Sequence, residues 1–333
     1  MRIAVIGSGS WGTTVACLAA QRHGTVLWAR RPGLVEQINE DRRNDQYLPG
    51  AEIPYSLTVT NDLEAAVQGV DVLVMGVPSH GYRDVLSQAA TAVPAHAAIL
   101  SLSKGIEQGT LKRMTEVTRE ELPDHDPDII GVLSGPNLAR EVIAGQPAAT
   151  VIAMTDTNRA RDLQQVFMSP SFRVYTNTDV IGCEIAGALK NVMAIAAGAV
   201  DGLGFGHNTT AALITRGLAE MNRLAVKLGA NPLTLAGLSG IGDLLLTCTG
   251  GLSRNRMVGQ KLGRGMQLDD IFRDMRQVAE GVKTALSVHR LAEREGIEMP
   301  ISEVVYRMLY EGLPAAEAVP ALMSRTLKKE ISP

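Results

Sequence analysis

Residues 3–6 of the chain read Ile-Ala-Val-Ile, and Gly7-Ser8-Gly9-Ser10-Trp11-Gly12 follows at once. No other stretch restricts the fold so strongly. The β-branched run reads as a strand, 13–21 as a helix and 25–28 as a second strand. Three glycines at G-x-G-x-x-G spacing thus open the helix of a βαβ unit, the context that gives this pattern its weight. Gly7 suits a tight turn, Gly9 lets a pyrophosphate approach the backbone, and Gly12 lets helix and strand pack closely. The helix start offers unpaired N–H groups to the anion. The expected ligand is a dinucleotide; the bland alternative is a plain glycine turn.

The end of the second strand refines this. An NAD site places Asp or Glu there to hold the ribose, whereas this chain has Ala29-Arg30-Arg31. Guanidinium forks bind phosphate bidentately, so Arg30 and Arg31 suit a 2′-phosphate. NADP(H) is expected to serve at least as well as NAD(H). The alternative is a pair of solvated surface charges.

Composition bounds the rest. A chain of 333 residues has room for two domains with sizeable cores. A net charge of −3 offers no basic surface for nucleic acid. Cys17, Cys183 and Cys248 are an odd, scattered set without metal-ligand spacing, as expected in a reducing cytosol. The six His form no metal or triad pattern, so no metal is expected. The chain opens straight into a strand, without signal-peptide architecture. The longest apolar stretch, 185–200, is interrupted by Lys190 and Asn191 and reads as too short and too polar to span a bilayer.

Strands expected over 3–6, 25–28, 57–60, 70–77, 98–102, 129–133, 149–154 and 172–175 alternate with helical stretches. That alternation predicts an α/β domain with a doubly wound, mostly parallel, Rossmann-like sheet. After Thr176 the period is helical throughout, so a dinucleotide-binding domain over 1–176 and an all-helical substrate-binding and catalytic domain over 177–333 are expected.

Chemistry-bearing residues gather at a few places. The helix expected over 180–200 is nearly all Ala, Gly, Ile and Val and should be buried. Lys190 sits mid-helix, flanked at helical spacing by Ala186, Gly187, Ala194 and Ala197. Burial would lower its pKa toward acid/base use; the alternative is a buried stem with its head in water. Asn191 beside it could hold an amide contact or bond backbone. Asp243 follows the glycines of Gly240-Ile-Gly242 and could cap a helix, orient Lys190 or bind a substrate hydroxyl. Ser253-Arg254-Asn255 opens another helix and combines a cap, N–H groups and a guanidinium, a combination suited to phosphate or carboxylate. The alternative is an ordinary capped helix. Lys104 and Asn137 follow strand ends; Asn137 could cap its helix. Glu280 precedes a helix and could accept from a ribose hydroxyl or balance the helix dipole.

Taken in order, Gly7-Ser-Gly-Ser-Trp-Gly12, Ser103-Lys104-Gly105, Ser134-Gly135-Pro136, Ile185-Ala-Gly-Ala-Leu-Lys190-Asn191, Gly240-Ile-Gly-Asp243, Ser253-Arg254-Asn255 and Glu280-Gly281 resemble the bacterial NAD(P)-dependent glycerol-3-phosphate dehydrogenases. The resemblance covers nearly the whole chain. It implies interconversion of dihydroxyacetone phosphate and sn-glycerol 3-phosphate, supply of the glycerolipid and phospholipid backbone, a cytoplasmic location and a homodimer. By position it implies that Lys190 is the proton acceptor in oxidation, supported by Lys104 and Asp243. It implies substrate contacts by Lys104, Gly135, Lys190, Asp243, Ser253, Arg254 and Asn255, and cofactor contacts by Ser10, Trp11, Arg31, Lys104, Ala139, Arg254, Val278 and Glu280. Asn137 stands where the family usually has Ser, so its substrate contact would be made by an amide. Rival readings are a related two-domain hydroxyacid dehydrogenase and a non-catalytic nucleotide-sensing protein.

Overall fold

A computed structural model describes residues 1–273, 275, 279–326 and 330. The first part alternates β1 (Arg2–Ile6), α1 (Ser10–Ala20), β2 (Gly24–Trp28), α2 (Pro32–Asp41), β3 (Leu57–Thr60), α3 (Leu63–Val67), β4 (Val72–Met75), α4 (Tyr82–Ala89), β5 (Ala98–Ser101), α5 (Met114–Glu121), β6 (Ile130–Ser134), α6 (Ala139–Ile143), β7 (Ala148–Ala153), α7 (Thr157–Phe167) and β8 (Phe172–Asn177). Eight strands form one sheet in the order β3-β2-β1-β4-β5-β6-β7-β8. All neighbours are parallel except β6 and β7. Central strands such as Val72–Met75 are apolar along their whole length because helices cover both faces. The strand order reverses between β1 and β4, and open α/β sheets bind ligands at the carboxyl side of that point.

The second part is helical: α8 (Val180–Gly202), α9 (His207–Lys227), α10 (Asp243–Thr249), α11 (Arg254–Gly263), α12 (Leu268–Arg273), α13 (Glu280–Glu295), α14 (Pro300–Tyr310) and α15 (Ala315–Met323). Helix α8 is its axis. It matches the helix expected over 180–200 and runs to Gly202; at 23 residues its length and composition would suffice to cross a membrane, which the apolar stretch 185–200 alone does not suggest. Burial settles its use: 94% of its most apolar window is enclosed by the protein's own helices. One glycine on each helix, Gly198 of α8 and Gly259 of α11, lets the two come into backbone contact. A Cβ built on Gly259 would stand 1.9 Å from the Ile195 carbonyl oxygen, and one on Gly198 would stand 1.9 Å from that of Arg256. This crossing fixes α11, whose first turn carries Arg254 and Asn255.

The sheet and helical parts share a seam. Ile106, from the loop after β5, is buried in the helical core. Val132, Val151 and Ala153 of the sheet pack with Val180 and Cys183 of α8. The three cysteines are buried and free, and burial pushes each thiol up to about 12. Glu220 on α9 is buried and accepts from the N–H groups of Ile301 (2.8 Å) and Ser302 (3.3 Å), at the start of α14. Its carboxyl is pushed up to about 7 by burial, against those N–H groups.

Two outcomes follow. Gly259→Ala should lower stability by about 3 kcal/mol or more, because backbone rather than a side chain must yield; a denaturant midpoint at the wild-type value would contradict the crossing. For Glu220 the folded protein holds a proton that the unfolded chain, with an ordinary Glu near pH 4.3, has released. Its contribution to stability is therefore full below about pH 4 and fades as pH rises through about 7. Glu220→Gln should flatten the melting temperature over that window, as a pH series of thermal melts would show.

Candidate active site

The glycine turn has the shape expected of a pyrophosphate cradle. Gly7 adopts φ +117° against Gly76, where a Cβ would lie 2.6 Å from the Gly76 carbonyl oxygen. A Cβ on Gly12 would lie 2.0 Å from the Gly7 carbonyl oxygen, so the turn closes only with glycine at both positions. Above Gly9 there is open space, and no side chain caps the N-terminus of α1. This combination leaves backbone N–H groups facing an empty approach, as a dinucleotide requires.

The side chains around the turn are already engaged. The Ser10 hydroxyl donates to the Tyr47 carbonyl (2.5 Å), and the Trp11 ring meets Phe172 edge-on at 6.1 Å. What Ser10 can offer an anion is thus its main-chain N–H. Asn44, buried, donates to the Ser8 carbonyl and the Thr13 hydroxyl (2.9 Å each), tying the 42–54 loop to the turn. Arg31 is held at its guanidinium by Gln46 (2.5 Å) and Tyr47 (3.3 Å), beside the cradle. Arg30 is exposed. Burial lowers the pKa of His80, and Lys283 and Arg30 lower it further. The Thr14 hydroxyl reaches the Ala139 carbonyl (3.4 Å), so the start of α6 lies against α1.

Lys104, Lys190 and Asp243 meet in one cluster, with Lys190 and Asp243 buried and Lys104 half-buried. Lys190 Nζ stands 2.9 Å from Asp243 Oδ1 and donates to Thr247 Oγ1 at 2.7 Å. Lys104 Nζ stands 2.5 Å from Asp243 Oδ2 and donates to the Gly135 carbonyl at 3.1 Å. Lys190 is 7% exposed and Asp243 1%, so the lysine head does not reach out to water. Asp243 is the first residue of α10 and caps nothing. The glycines before it form a turn of π-helix, Leu238–Gly242, rather than a flexible loop. A Cβ on Gly240 would lie 2.0 Å from the Leu235 carbonyl oxygen.

The electrostatics follow from that packing. Burial pulls the Lys190 amine below its usual range; Asp243 opposes this and Lys104 adds to it. Burial pushes the Asp243 carboxyl up, but the two ammonium groups outweigh it and hold it below its usual range. Two cations against one carboxylate leave a net positive charge in a dry site, which favours a negative oxygen placed beside the amines.

The third element is the start of α11. Ser253 caps it, accepting from the Arg256 N–H at 3.2 Å. Asn255 is buried and accepts from the Gly281 N–H (2.9 Å) while donating to Asn191 Oδ1 (3.0 Å). Asn191 in turn donates to the Lys104 carbonyl (3.1 Å), so its amide serves both of the roles open to it. Glu280 begins α13 rather than preceding it. Burial raises its carboxyl above the usual range, against Arg254, Lys190, Lys104 and the Ser79 N–H. Arg254 and Glu280 therefore border the amine cluster.

Asn137 is a correction: Leu138 stands at the cap position of α6. The Asn137 amide instead donates to the Ala149 carbonyl (2.9 Å), and its Oδ1 is buried without a partner. Val278 lies outside the described residues. Thr247 was missed by the sequence reading, although it stands four residues after Asp243 and so on the same helical face. Asn44 gave no signal, lying in an irregular loop.

Two family models cover the chain: the N-terminus of NAD-dependent glycerol-3-phosphate dehydrogenase matches residues 2–160, and its C-terminus matches residues 179–320. A glycerol-3-phosphate dehydrogenase [NAD(P)+] of Geobacter sulfurreducens is 55% identical over 99% of this chain and 98% of its own length. One from Thermobifida fusca is 53% identical over 99% and 98%. The crystal structure of a glycerol-3-phosphate dehydrogenase from Coxiella burnetii superposes with a TM-score of 0.93 at 38% identity, covering 97% of this chain and 99% of that one.

The cluster makes a direct electrostatic prediction. In Asp243→Asn the Lys190 amine loses its counter-charge and should titrate at least about one pH unit lower. A ¹³Cε titration of Lys190 would show this, and an unmoved midpoint would contradict the pairing.

Proposed function

The chain belongs to the NAD-dependent glycerol-3-phosphate dehydrogenase family, and from that premise we propose how its own residues carry the reaction. It is an NAD(P)-dependent oxidoreductase that interconverts dihydroxyacetone phosphate and sn-glycerol 3-phosphate. The single observation that carries the residue assignment is the cluster of Lys104, Lys190 and Asp243.

The bound nicotinamide cofactor supplies or accepts the hydride. The N–H groups at the start of α1, at Gly9, Ser10 and Trp11, would hold its pyrophosphate. Arg31, held by Gln46 and Tyr47, and Arg30 beside it would take the 2′-phosphate of the adenosine ribose, which supports use of NADP as well as NAD. Ala139, Arg254 and Glu280 would border the remaining length of the dinucleotide.

Lys190 is the proton-transfer group. In reduction its ammonium donates a proton to the C2 oxygen, and in oxidation its amine takes that proton back. Burial lowers its pKa, so the proton is more readily given up than from a surface lysine. Lys104 supplies the second cation at the C2 oxygen, and Asp243 holds both ammonium groups at fixed positions. Thr247 accepts from Lys190 and so restricts where its head can point. Ser253, Arg254 and Asn255 take the substrate phosphate at the start of α11. Gly135 and Asn137 line the sheet side. Most of the rate gain comes from alignment and from fixed charges in a water-poor cleft.

The same reading divides the chain at 176/177 into a nucleotide part and a substrate part. It makes the protein a cytoplasmic homodimer that supplies the glycerol backbone for phospholipid synthesis.

NADPH consumption with dihydroxyacetone phosphate tests the whole assignment. Lys190→Ala should lose at least about 100-fold in kcat while NADPH binding, followed by nucleotide fluorescence, stays at the wild-type level. Near-normal turnover would remove Lys190 from the mechanism. Arg254→Ala should raise KM for dihydroxyacetone phosphate by at least about tenfold, the loss of one charge-assisted bond. An unchanged KM would move the phosphate site elsewhere.

A further inference from the structure

Lys104 and Lys190 come from different parts of the chain, yet their separation is set within bond distance of one carboxylate. Lys190 belongs to α8. Lys104 sits on the loop between β5 and α5, and that loop is fastened to the same helix at three points. Glu184, Gly187 and Asn191 stand at i, i+3 and i+7, on one face of α8. Asn191 donates to the Lys104 carbonyl at 3.1 Å. Gly187 makes room for the lysine stem: a Cβ built there lies 3.5 Å from Lys104 Cγ and 3.3 Å from Ser134 Oγ.

Glu184 secures the far end of the loop. The residue is 8% exposed, and its carboxylate accepts three bonds from the stretch that leads into α5. These come from Arg113 Nη1 (2.7 Å), the Thr115 N–H (2.9 Å) and the Thr115 hydroxyl (2.6 Å). Between the two ends, Ile106 is buried in the helical core and Leu111 packs against it. Leu111 does so at φ +59°, a conformation unfavourable for a side chain with a Cβ. The loop is thus bent to reach the helix, and anchors at both ends are needed to keep it there.

We infer that Glu184 is a positioning residue for the reaction: by clamping Arg113 and Thr115 it holds Lys104 at a fixed distance from Lys190 along α8. This rests on the role given to Lys104 above. A carboxylate that merely joined the two parts of the fold would stabilise the protein without a link to Lys104 in particular. The difference is measurable.

The experiment compares Glu184→Gln, Lys104→Ala and the double variant in the NADPH and dihydroxyacetone phosphate assay, with NADPH affinity and thermal melting measured alongside. Glu184→Gln should lower kcat by about 10- to 100-fold, the cost of misplacing a reacting group by about 1 Å, with NADPH affinity unchanged. With Lys104 already gone, removing Glu184 should cost nothing more in kcat. Losses that multiply in the double variant, or full kcat in Glu184→Gln, would overturn the inference while leaving Lys104 in the mechanism. Near-normal turnover in Lys104→Ala would instead overturn the role of Lys104, and this inference with it. Thr115→Val, which removes one of the three bonds and keeps the ion pair, carries the same comparison if Glu184→Gln does not fold. Its smaller loss of kcat should likewise vanish in the Lys104→Ala background, and a loss that persists there would overturn the inference.

Discussion

One carboxylate held between two ammonium groups, out of water, is the interaction on which the remainder of this structure depends. Each of the three charges would be costly to bury alone. Together they are tolerable, because Asp243 neutralises one lysine and partly offsets the other. The arrangement is nevertheless left with a net positive charge. That uncompensated charge suits a negative oxygen placed beside the amines, and in the role proposed for the cluster the electrostatic cost borne in the folded protein serves the chemistry. Geometry is unforgiving here, since Lys190 displaced by a bond length becomes an unpaired buried cation.

The architecture reads as a response to that requirement. Lys190 lies on the most enclosed helix of the molecule, with small residues on the sides where neighbours crowd it. Asp243 begins a helix held by a tight π-turn with no space for a Cβ at Gly240. Lys104 comes from the carboxyl side of the sheet, on a loop that leaves its own domain core and buries Ile106 in the other. The seam between sheet and helices is therefore mixed rather than a simple contact of two finished surfaces. Stiff packing of this kind favours a site assembled before substrate arrives, with less to be ordered on binding.

The nucleotide side follows a different logic. Its cradle is built of backbone, and its shape is enforced by the absence of side chains at Gly7, Gly9 and Gly12. Two glycines are demanded by the protein itself, because a Cβ at Gly7 or Gly12 would strike a carbonyl. Gly9 meets nothing within the protein, so the approach above it stays open to a ligand. Around it the polar side chains are mostly spoken for: Ser10 by Tyr47, Asn44 by Ser8 and Thr13, Arg31 by Gln46. The cradle is thus rigid, and its surroundings are arranged rather than adaptable.

All eight strands and the succession of helices after Thr176 were legible in the sequence, because the periods of 2 and 3.6 and the glycine, serine and proline punctuation are local properties. So was the anomaly of Lys190, since an amine in the middle of an Ala-Gly helix stands out wherever that helix packs. What the sequence left open was decided by contacts between residues far apart in the chain. Asp243 as a cap or a counter-ion, Lys190 buried or reaching water, and Asn137 as a cap or a strand partner are indistinguishable at the level of spacing. Each depends on which carbonyl or charge lies within 3 Å after folding. Glu184 and Asn44 could not have been singled out at all, because their partners stand 69 and 36 positions away. Local period sets where helices and strands form; the identity of a side chain's partner is a property of the closed chain, and only the tertiary structure supplies it.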